Sequence, residues 1–145
     1  MAAYALVLYV FAAVLTFGIR AYLQWRRTGA TGLVGFASGG GVRDAGIGLG
    51  FVAAMLSGIA GPLLDLLGVV EPITILDGDA VGIIGVFMAG AGILATFAAQ
   101  LAMGESWRVG VDEQERTDLV TDGPFRIVRN PIFTAMIVTA VGLAL

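Results

Sequence analysis

Hydrophobic residues fall into four segments along this chain, and polar stretches separate them. The apolar segments cover residues 2–19, 45–70, 80–103 and 131–145. The first carries no charge, and its eighteen residues would form a helix about 27 Å long, close to the roughly 30 Å of a bilayer core. This pattern predicts an all-α polytopic integral membrane protein, with three full transmembrane helices, a fourth incomplete one, and one membrane domain over residues 1–145.

The first segment also has the length of a secretory signal peptide. A signal peptide places positive charge before its apolar run and a small-residue cleavage site after it. Here Arg20, Arg26 and Arg27 follow the run, so the pattern favours a retained span.

The second and third segments carry features that predict their local structure. Asp44 and Asp79 stand directly before apolar runs, where Asp is a good helix N-cap. Pro62 predicts a kink, and Asp65, one turn further on, is expected at the membrane interface. Small residues let neighbouring helices approach closely, and the second segment has four candidates: Gly46, Gly50, Gly58 and Gly61.

The fourth segment is short for a span. Its fifteen residues would give a helix of about 22 Å, and no polar anchor follows them. We therefore expect either an incomplete last helix or a sequence that is a piece of a longer protein.

The amino-acid composition limits which catalytic groups, metal sites and partners are possible. Hydrophobic residues make up 58% of the chain and charged residues only 13%, and the mean hydropathy is +0.93. All eight basic residues are Arg, and there is no Lys, His or Cys. Disulfides, thiolate chemistry and Cys/His metal sites are thus excluded, and a general base must be Asp, Glu, Tyr, substrate or water. The net charge of −3 argues against nucleic acid as a partner.

Arginine distribution predicts the orientation. Four arginines fall in residues 20–44, four in residues 104–130 and none in residues 71–79. By the positive-inside rule, loops 20–44 and 104–130 are cytoplasmic and the N-terminus faces outward. We expect the protein in the cell membrane.

Residues 104–130 are the longest polar stretch outside the spans. Trp107 and Arg108 come directly after the third span, where an interfacial aromatic and a snorkelling arginine are common. Residues 112–118 form a polar run, and Gly123-Pro124 predicts a turn.

The end of this stretch predicts a helix N-terminus. Asn130 is a good N-cap and Pro131 suits the first helical position, so free N–H groups there can bind a carboxylate or phosphate. Arg126 and Arg129 are three residues apart and would share one face of a helical turn. They suit either a ligand role or contact with anionic lipid headgroups.

The sequences SWRVG (residues 106–110) and LVTDGPFRIVRNPIF (residues 119–133) resemble the signature of the isoprenylcysteine carboxyl methyltransferase family, which is related to the integral-membrane phospholipid methyltransferases. The resemblance implies a small helical membrane enzyme that uses S-adenosylmethionine. It also implies a later helix with acidic and Arg residues, which we do not find before Leu145. Asn130 stands where the family has His, and Phe125 and Phe133 where it has Tyr.

The same resemblance implies which residues line the cofactor. They are Thr117, Asp118, Leu119, Val120, Phe125, Arg129, Asn130, Pro131, Ile132 and Phe133. Catalytic residues and a metal site are not implied.

Methyl transfer from a sulfonium needs alignment and desolvation more than an acid or base. A carboxylate acceptor is already ionised, whereas an amine would need a carboxylate such as Glu113, Glu115 or Asp118 as its base. We therefore expect carboxyl O-methylation of a lipid or isoprenoid acceptor that enters from the bilayer. The alternatives are an NADPH-dependent reductase of the sterol-reductase type and a non-catalytic truncated membrane protein.

Overall fold

The structure, a computed structural model, describes residues 1–33, 42–71, 73, 75–110 and 119–145. Every regular element in these ranges is a helix, and the prediction of an all-α protein is confirmed. The helices are α1 (Ala2–Thr28), α2 (Val42–Leu66), α3 (Asp79–Ala102), the single turn α4 (Pro124–Ile127) and α5 (Pro131–Ala144).

Three of these helices are long and apolar enough to cross a membrane. They are α1, the Leu49–Leu66 part of α2, and α3, whereas α5 is a shorter apolar helix. The prediction of three full spans and a fourth short one is therefore confirmed. The protein is an integral membrane protein by the length and apolar character of these helices.

Helix α1 is longer than the sequence predicted. It continues through a π-helical stretch, Val14–Ile19, and then as α-helix from Arg20 to Thr28. It ends at Gly29, whose φ of 79° only glycine adopts readily and whose N–H donates to the Trp25 carbonyl at 2.8 Å. The prediction that the polar loop begins at residue 20 was wrong, because one polar face keeps the segment helical after the apolar run stops.

Two of the predicted N-caps were also wrong. Helix α2 begins at Val42, two residues before Asp44. Gly78 is the N-cap of α3, and Asp79 is its first residue. In that place the Asp79 carboxylate still lies at the positive end of the helix dipole, which is favourable.

The long helices run alternately up and down. The Tyr9 hydroxyl donates to the Met55 carbonyl at 2.6 Å, and Phe17 meets Phe51 edge to face at 5.7 Å, so α1 and α2 are antiparallel. Met1 lies against Gly82 at the start of α3, whereas Arg20 contacts Gln100 near its end. Helices α1 and α3 are therefore parallel, and residues 20–33 lie at the same end of the molecule as residues 104–110.

The closest helix contact lies between α3 and α5. A Cβ added at Gly92 would lie 2.5 Å from the Thr139 hydroxyl oxygen, and one at Gly85 would lie 2.7 Å from the Gly142 carbonyl. The backbones thus touch through small residues, as is common between membrane helices.

The glycines of α2 were predicted to let neighbouring helices approach closely. Only Gly58 has a close neighbour, the Tyr9 ring, while Gly46, Gly50 and Gly61 have open space at the Cβ position. For those three the prediction was wrong.

Candidate functional site

A cluster of buried polar side chains joins the ends of α1 and α3. Arg20 is 0% exposed, and Gln24, Thr96 and Gln100 are almost as deeply buried. Arg20 donates from Nε to the Gln100 carbonyl at 3.3 Å, from Nη1 to Gln24 Oε1 at 2.9 Å, and from Nη2 to the Gly104 carbonyl at 2.5 Å. The guanidinium thus caps the carbonyl end of α3, where the helix dipole favours a cation.

The start of the 104–130 loop lies on this cluster. Gln24 donates from Nε2 to the Glu105 carbonyl at 2.6 Å. The Arg20 guanidinium carbon lies 4.5 Å from the centre of the Trp107 ring, in cation–π geometry. Trp107 is only 2% exposed, so its prediction as an interfacial anchor was wrong: the ring is covered by Arg20 instead of lying among lipid headgroups.

The far side of Trp107 is closed by Gly32. A Cβ at Gly32 would lie 2.9 Å from the indole ring and from the Trp107 carbonyl, and Gly32 has a φ of 73°. The Val109 N–H donates to the Gly32 carbonyl at 2.7 Å, and Leu33 and Val109 form a parallel β-bridge. The SWRVG segment is therefore held by α1 and by Gly32 and Leu33, which follow α1.

The Gly123-Pro124 turn forms as predicted. Gly123 has a φ of 59°, and Pro124 begins α4. The turn closes through the Arg126 N–H, which donates to the Gly123 carbonyl at 3.1 Å. Helix α4 packs against α3 and α5, so the loop returns to the helices before it enters α5.

The predicted cap of α5 is confirmed. Asn130 Oδ1 accepts from the Phe133 N–H at 3.4 Å, and Pro131 is the first residue of the helix. The Thr134 N–H donates to the Asn130 carbonyl. Among the described contacts, the Ile132 N–H is then the first-turn donor left for an anion. The sequence had led us to expect more free N–H groups at this helix end.

Arg126 and Arg129 do not share a helical face. Helix α4 ends at Ile127, and Val128 is extended, with φ −132° and ψ 134°. That prediction was wrong, although both arginines are exposed. Either side chain therefore remains accessible to an anionic group.

The residues predicted to line the cofactor include the N-cap and first turn of α5, from Asn130 to Phe133, and Phe125 of α4. Leu119 is 87% exposed and Phe133 61% exposed. Val120, Phe125 and Ile132 are half-buried, Arg129 and Asn130 are exposed, and Pro131 is buried. Thr117 and Asp118 lie outside the described residues, as do the candidate bases Glu113 and Glu115.

Their chemistry fits S-adenosylmethionine. Leu119 and Phe133 offer exposed apolar surface for the adenine ring, and Arg129 with the Ile132 N–H offers positive charge and a donor for the carboxylate. Such an amphipathic ligand needs both apolar surface and positive charge, and Phe133 and Arg129 are both exposed at the N-terminal end of α5.

A cavity of about 1030 Å³ lies elsewhere, among α1, α2, α3 and α5, and none of the predicted cofactor residues lines it. One end is bordered by Asp65, Glu71 and Asp77, and the other reaches Thr16 and Thr96. Thr16 and Thr96 each precede a member of the buried cluster, Arg20 and Gln100, by one helical turn. The cavity therefore runs towards the end of the molecule where the 104–130 loop begins.

Comparison with known proteins gives one family. The model of the phospholipid methyltransferase family matches residues 81–145, from the start of α3 to the last residue. Over residues 81–145 the chain is therefore similar to the phospholipid methyltransferases. The match includes the SWRVG segment, the Gly-Pro turn and the Asn-Pro cap, so it supports a membrane methyltransferase. No curated protein and no solved structure matches the chain.

Sequence reasoning missed the buried cluster, because it counted Arg20 as a charge outside the membrane. A signal was present. Thr16, Arg20 and Gln24 are spaced by four residues, as are Thr96 and Gln100, and this spacing places each set on one helical face. Polar residues on one face of otherwise apolar helices indicate a shared buried contact.

Proposed function

We propose that this protein is an S-adenosylmethionine-dependent methyltransferase that acts on a lipid-like or isoprenoid acceptor in the membrane. The observation that carries the proposal is the match of residues 81–145 to the phospholipid methyltransferase family. The Gly123-Pro124 turn and the Asn130 cap, both within the matched segment, support it, because they form as the sequence pattern predicted.

S-adenosylmethionine, when bound, supplies an electrophilic methyl group on a sulfonium. In this proposal Leu119 and Phe133 hold the apolar part of the cofactor, while Arg129 and the Ile132 N–H hold its carboxylate. Of these groups, Phe133 and the Ile132 N–H belong to α5, which is held by its close contact with α3. The contribution of the protein is therefore binding and alignment.

The acceptor would occupy the cavity. Its lining along α1 extends from Met1 to Phe17, which corresponds to roughly 24 Å of helix, enough for a long hydrocarbon chain. Most of the wall is apolar, and the Thr16 and Thr96 hydroxyls lie at the end nearest the loop. A lipid would place its reactive polar end there and its hydrocarbon part between the helices.

We propose carboxyl O-methylation as the reaction. A carboxylate attacks without losing a proton, and the chain has no Lys, His or Cys that would act as a base near neutral pH. Membrane lipids and the acceptor are then the partners, nucleic acid is not, and the cofactor loop faces the cytoplasm of a cell-membrane protein.

Methyl incorporation tests this function. The full-length protein in vesicles of total membrane lipid is given S-adenosylmethionine labelled in the methyl group, and the lipid extract is counted before and after mild alkaline hydrolysis. We expect label in the lipid fraction that alkali releases as methanol, because methyl esters hydrolyse and N-methyl groups do not. Label that resists alkali would contradict carboxyl O-methylation, and absence of label would contradict the function.

A matched pair of α2 variants tests the acceptor cavity. Gly61 lines the cavity and Gly50 does not, and both have open space at the Cβ position. Gly61→Phe should fill the cavity and reduce methyl incorporation by about tenfold, while Gly50→Phe, with the same change in helix propensity, should leave it unchanged. Equal rates in the two variants would exclude the cavity as the acceptor site.

A further inference from the structure

Arg20 lies outside the segment that the family model matches, yet it is the most deeply buried charged side chain among the described residues. Its hydrogen-bond acceptors there are the Gln100 and Gly104 carbonyls and the Gln24 side-chain oxygen. A buried charge is costly unless it is well satisfied. A buried charge at the junction of α1, α3 and the loop therefore indicates that Arg20 has a role beyond packing.

The geometry of these contacts requires a guanidinium. Its planar donors reach two backbone carbonyls and one amide oxygen, while its face covers the Trp107 ring at 4.5 Å. An ammonium is a compact point charge without this planar fork. Arg20 thus joins the end of α3, the Gly104–Ser106 turn and Trp107 in a single contact.

The loop is held at both of its ends. At its start, Arg20 and Gln24 hold residues 104–107 and Gly32 holds Val109. At its end, Asn130 caps α5, which packs against α3. The described residues on the two sides of 111–118 therefore each have an anchor, and only the second anchor belongs to the predicted cofactor residues.

We propose that Arg20 is a positioning residue for the cofactor loop: by fixing residues 104–107 on the end of α3, it places Leu119–Phe133 in the arrangement that binds S-adenosylmethionine. This inference rests on the proposed function. Arg20 does not touch the cofactor in this proposal, and it acts through Gly104 and Trp107.

The test measures cofactor affinity in folded variants of the full-length protein in lipid nanodiscs. Arg20→Gln removes the charge and the fork, and Arg20→Lys retains the charge. We expect the Kd for S-adenosylmethionine to rise by about tenfold or more in Arg20→Gln and by less in Arg20→Lys. Arg26→Gln, an exposed site on the same helix, is the control and should bind as the wild type does.

Hydrogen exchange supplies a second readout. The Val109 amide, bonded to the Gly32 carbonyl, should exchange faster in Arg20→Gln and at the wild-type rate in Arg26→Gln. A folded Arg20→Gln variant with wild-type affinity would overturn the proposal and leave Arg20 with a structural role alone. If Arg20→Gln does not fold, Gln24→Leu decides in its place: a several-fold rise in Kd supports the proposal, and an unchanged Kd overturns it.

The two proposals fail in different ways. If the wild-type protein binds no S-adenosylmethionine, the proposed function is overturned and the role of Arg20 in cofactor binding with it. If the wild type binds and the folded Arg20 and Gln24 variants bind equally well, only the role of Arg20 is overturned.

Discussion

Single residues decide how the loop is held, and Asn130 is the most informative of them. Its side chain caps α5 while its position at the helix N-terminus places it beside the proposed cofactor carboxylate. The two roles respond differently to charge. An acidic cap keeps the hydrogen bond to the Phe133 N–H but repels an anionic ligand.

Variants of Asn130 separate capping from binding. Asn130→Ala removes the cap and should lower the free energy of unfolding by roughly 0.5–1 kcal/mol, towards the low end of the usual range because the hydrogen bond is long, at 3.4 Å. Asn130→Asp should retain the stability and weaken S-adenosylmethionine binding. Thermal unfolding and equilibrium binding check both, and tighter binding by Asn130→Asp would contradict the placement of the carboxylate.

Gly32 provides a second residue-scale prediction. Gly32→Ala should displace Trp107, because the new Cβ would lie 2.9 Å from its ring, and should cost roughly 1–3 kcal/mol. Gly29→Ala is the control, since it has a similar φ of 79° but open space. Thermal unfolding of the two variants should show the larger loss for Gly32→Ala, and equal losses would mean that backbone strain alone matters.

At the scale of helices, the apolar pattern predicted number and type but not partners. Hydrophobic runs are a property of sequence, so α1, α2, α3 and α5 were found from length alone. Which glycine faces a neighbour depends on tertiary packing, and for this reason Gly46, Gly50 and Gly61 were misassigned while Gly85 and Gly92 were overlooked. The extension of α1 was missed because its polar face is buried against another helix. Mean hydropathy reports how polar the residues are, but not that they are buried in such a contact.

The α3–α5 contact can be tested with a pair of neighbouring glycines. Gly92→Val should force the helices apart, because the Cβ alone would lie 2.5 Å from the Thr139 hydroxyl oxygen. Gly90→Val has open space and carries the same propensity cost. We expect thermal unfolding of Gly92→Val to occur well below that of Gly90→Val, and coincident transitions would refute the packing of α3 on α5.

At the scale of the molecule, the helices place residues 20–33 and 104–110 at one end and the acidic border of the cavity at the other. This arrangement agrees with alternating spans, whereas the direction across the membrane is a prediction from the positive-inside rule. The motif region was predictable because turn and cap chemistry are local, as Gly123, Pro124 and Asn130 show. The anchoring of that region by Arg20 was not, because it joins residues more than eighty positions apart.

Cysteine labelling tests the orientation. The chain has no Cys, so Thr31→Cys and Asp77→Cys each introduce a single thiol, one at each end of the helices. A membrane-impermeant maleimide added to intact cells should label Asp77→Cys and should label Thr31→Cys only after permeabilisation. The reverse pattern would show that the N-terminus is cytoplasmic.

The central claim is that the segment from the Gly123-Pro124 turn to the first turn of α5 binds a methyl donor, and equilibrium binding to the full-length protein in lipid nanodiscs tests it most directly. We expect saturable binding of S-adenosylmethionine, competition by S-adenosylhomocysteine but not by NADPH, and loss of affinity in Arg129→Gln but not in Arg26→Gln. A folded protein that bound no S-adenosylmethionine, or that bound NADPH in its place, would contradict the account.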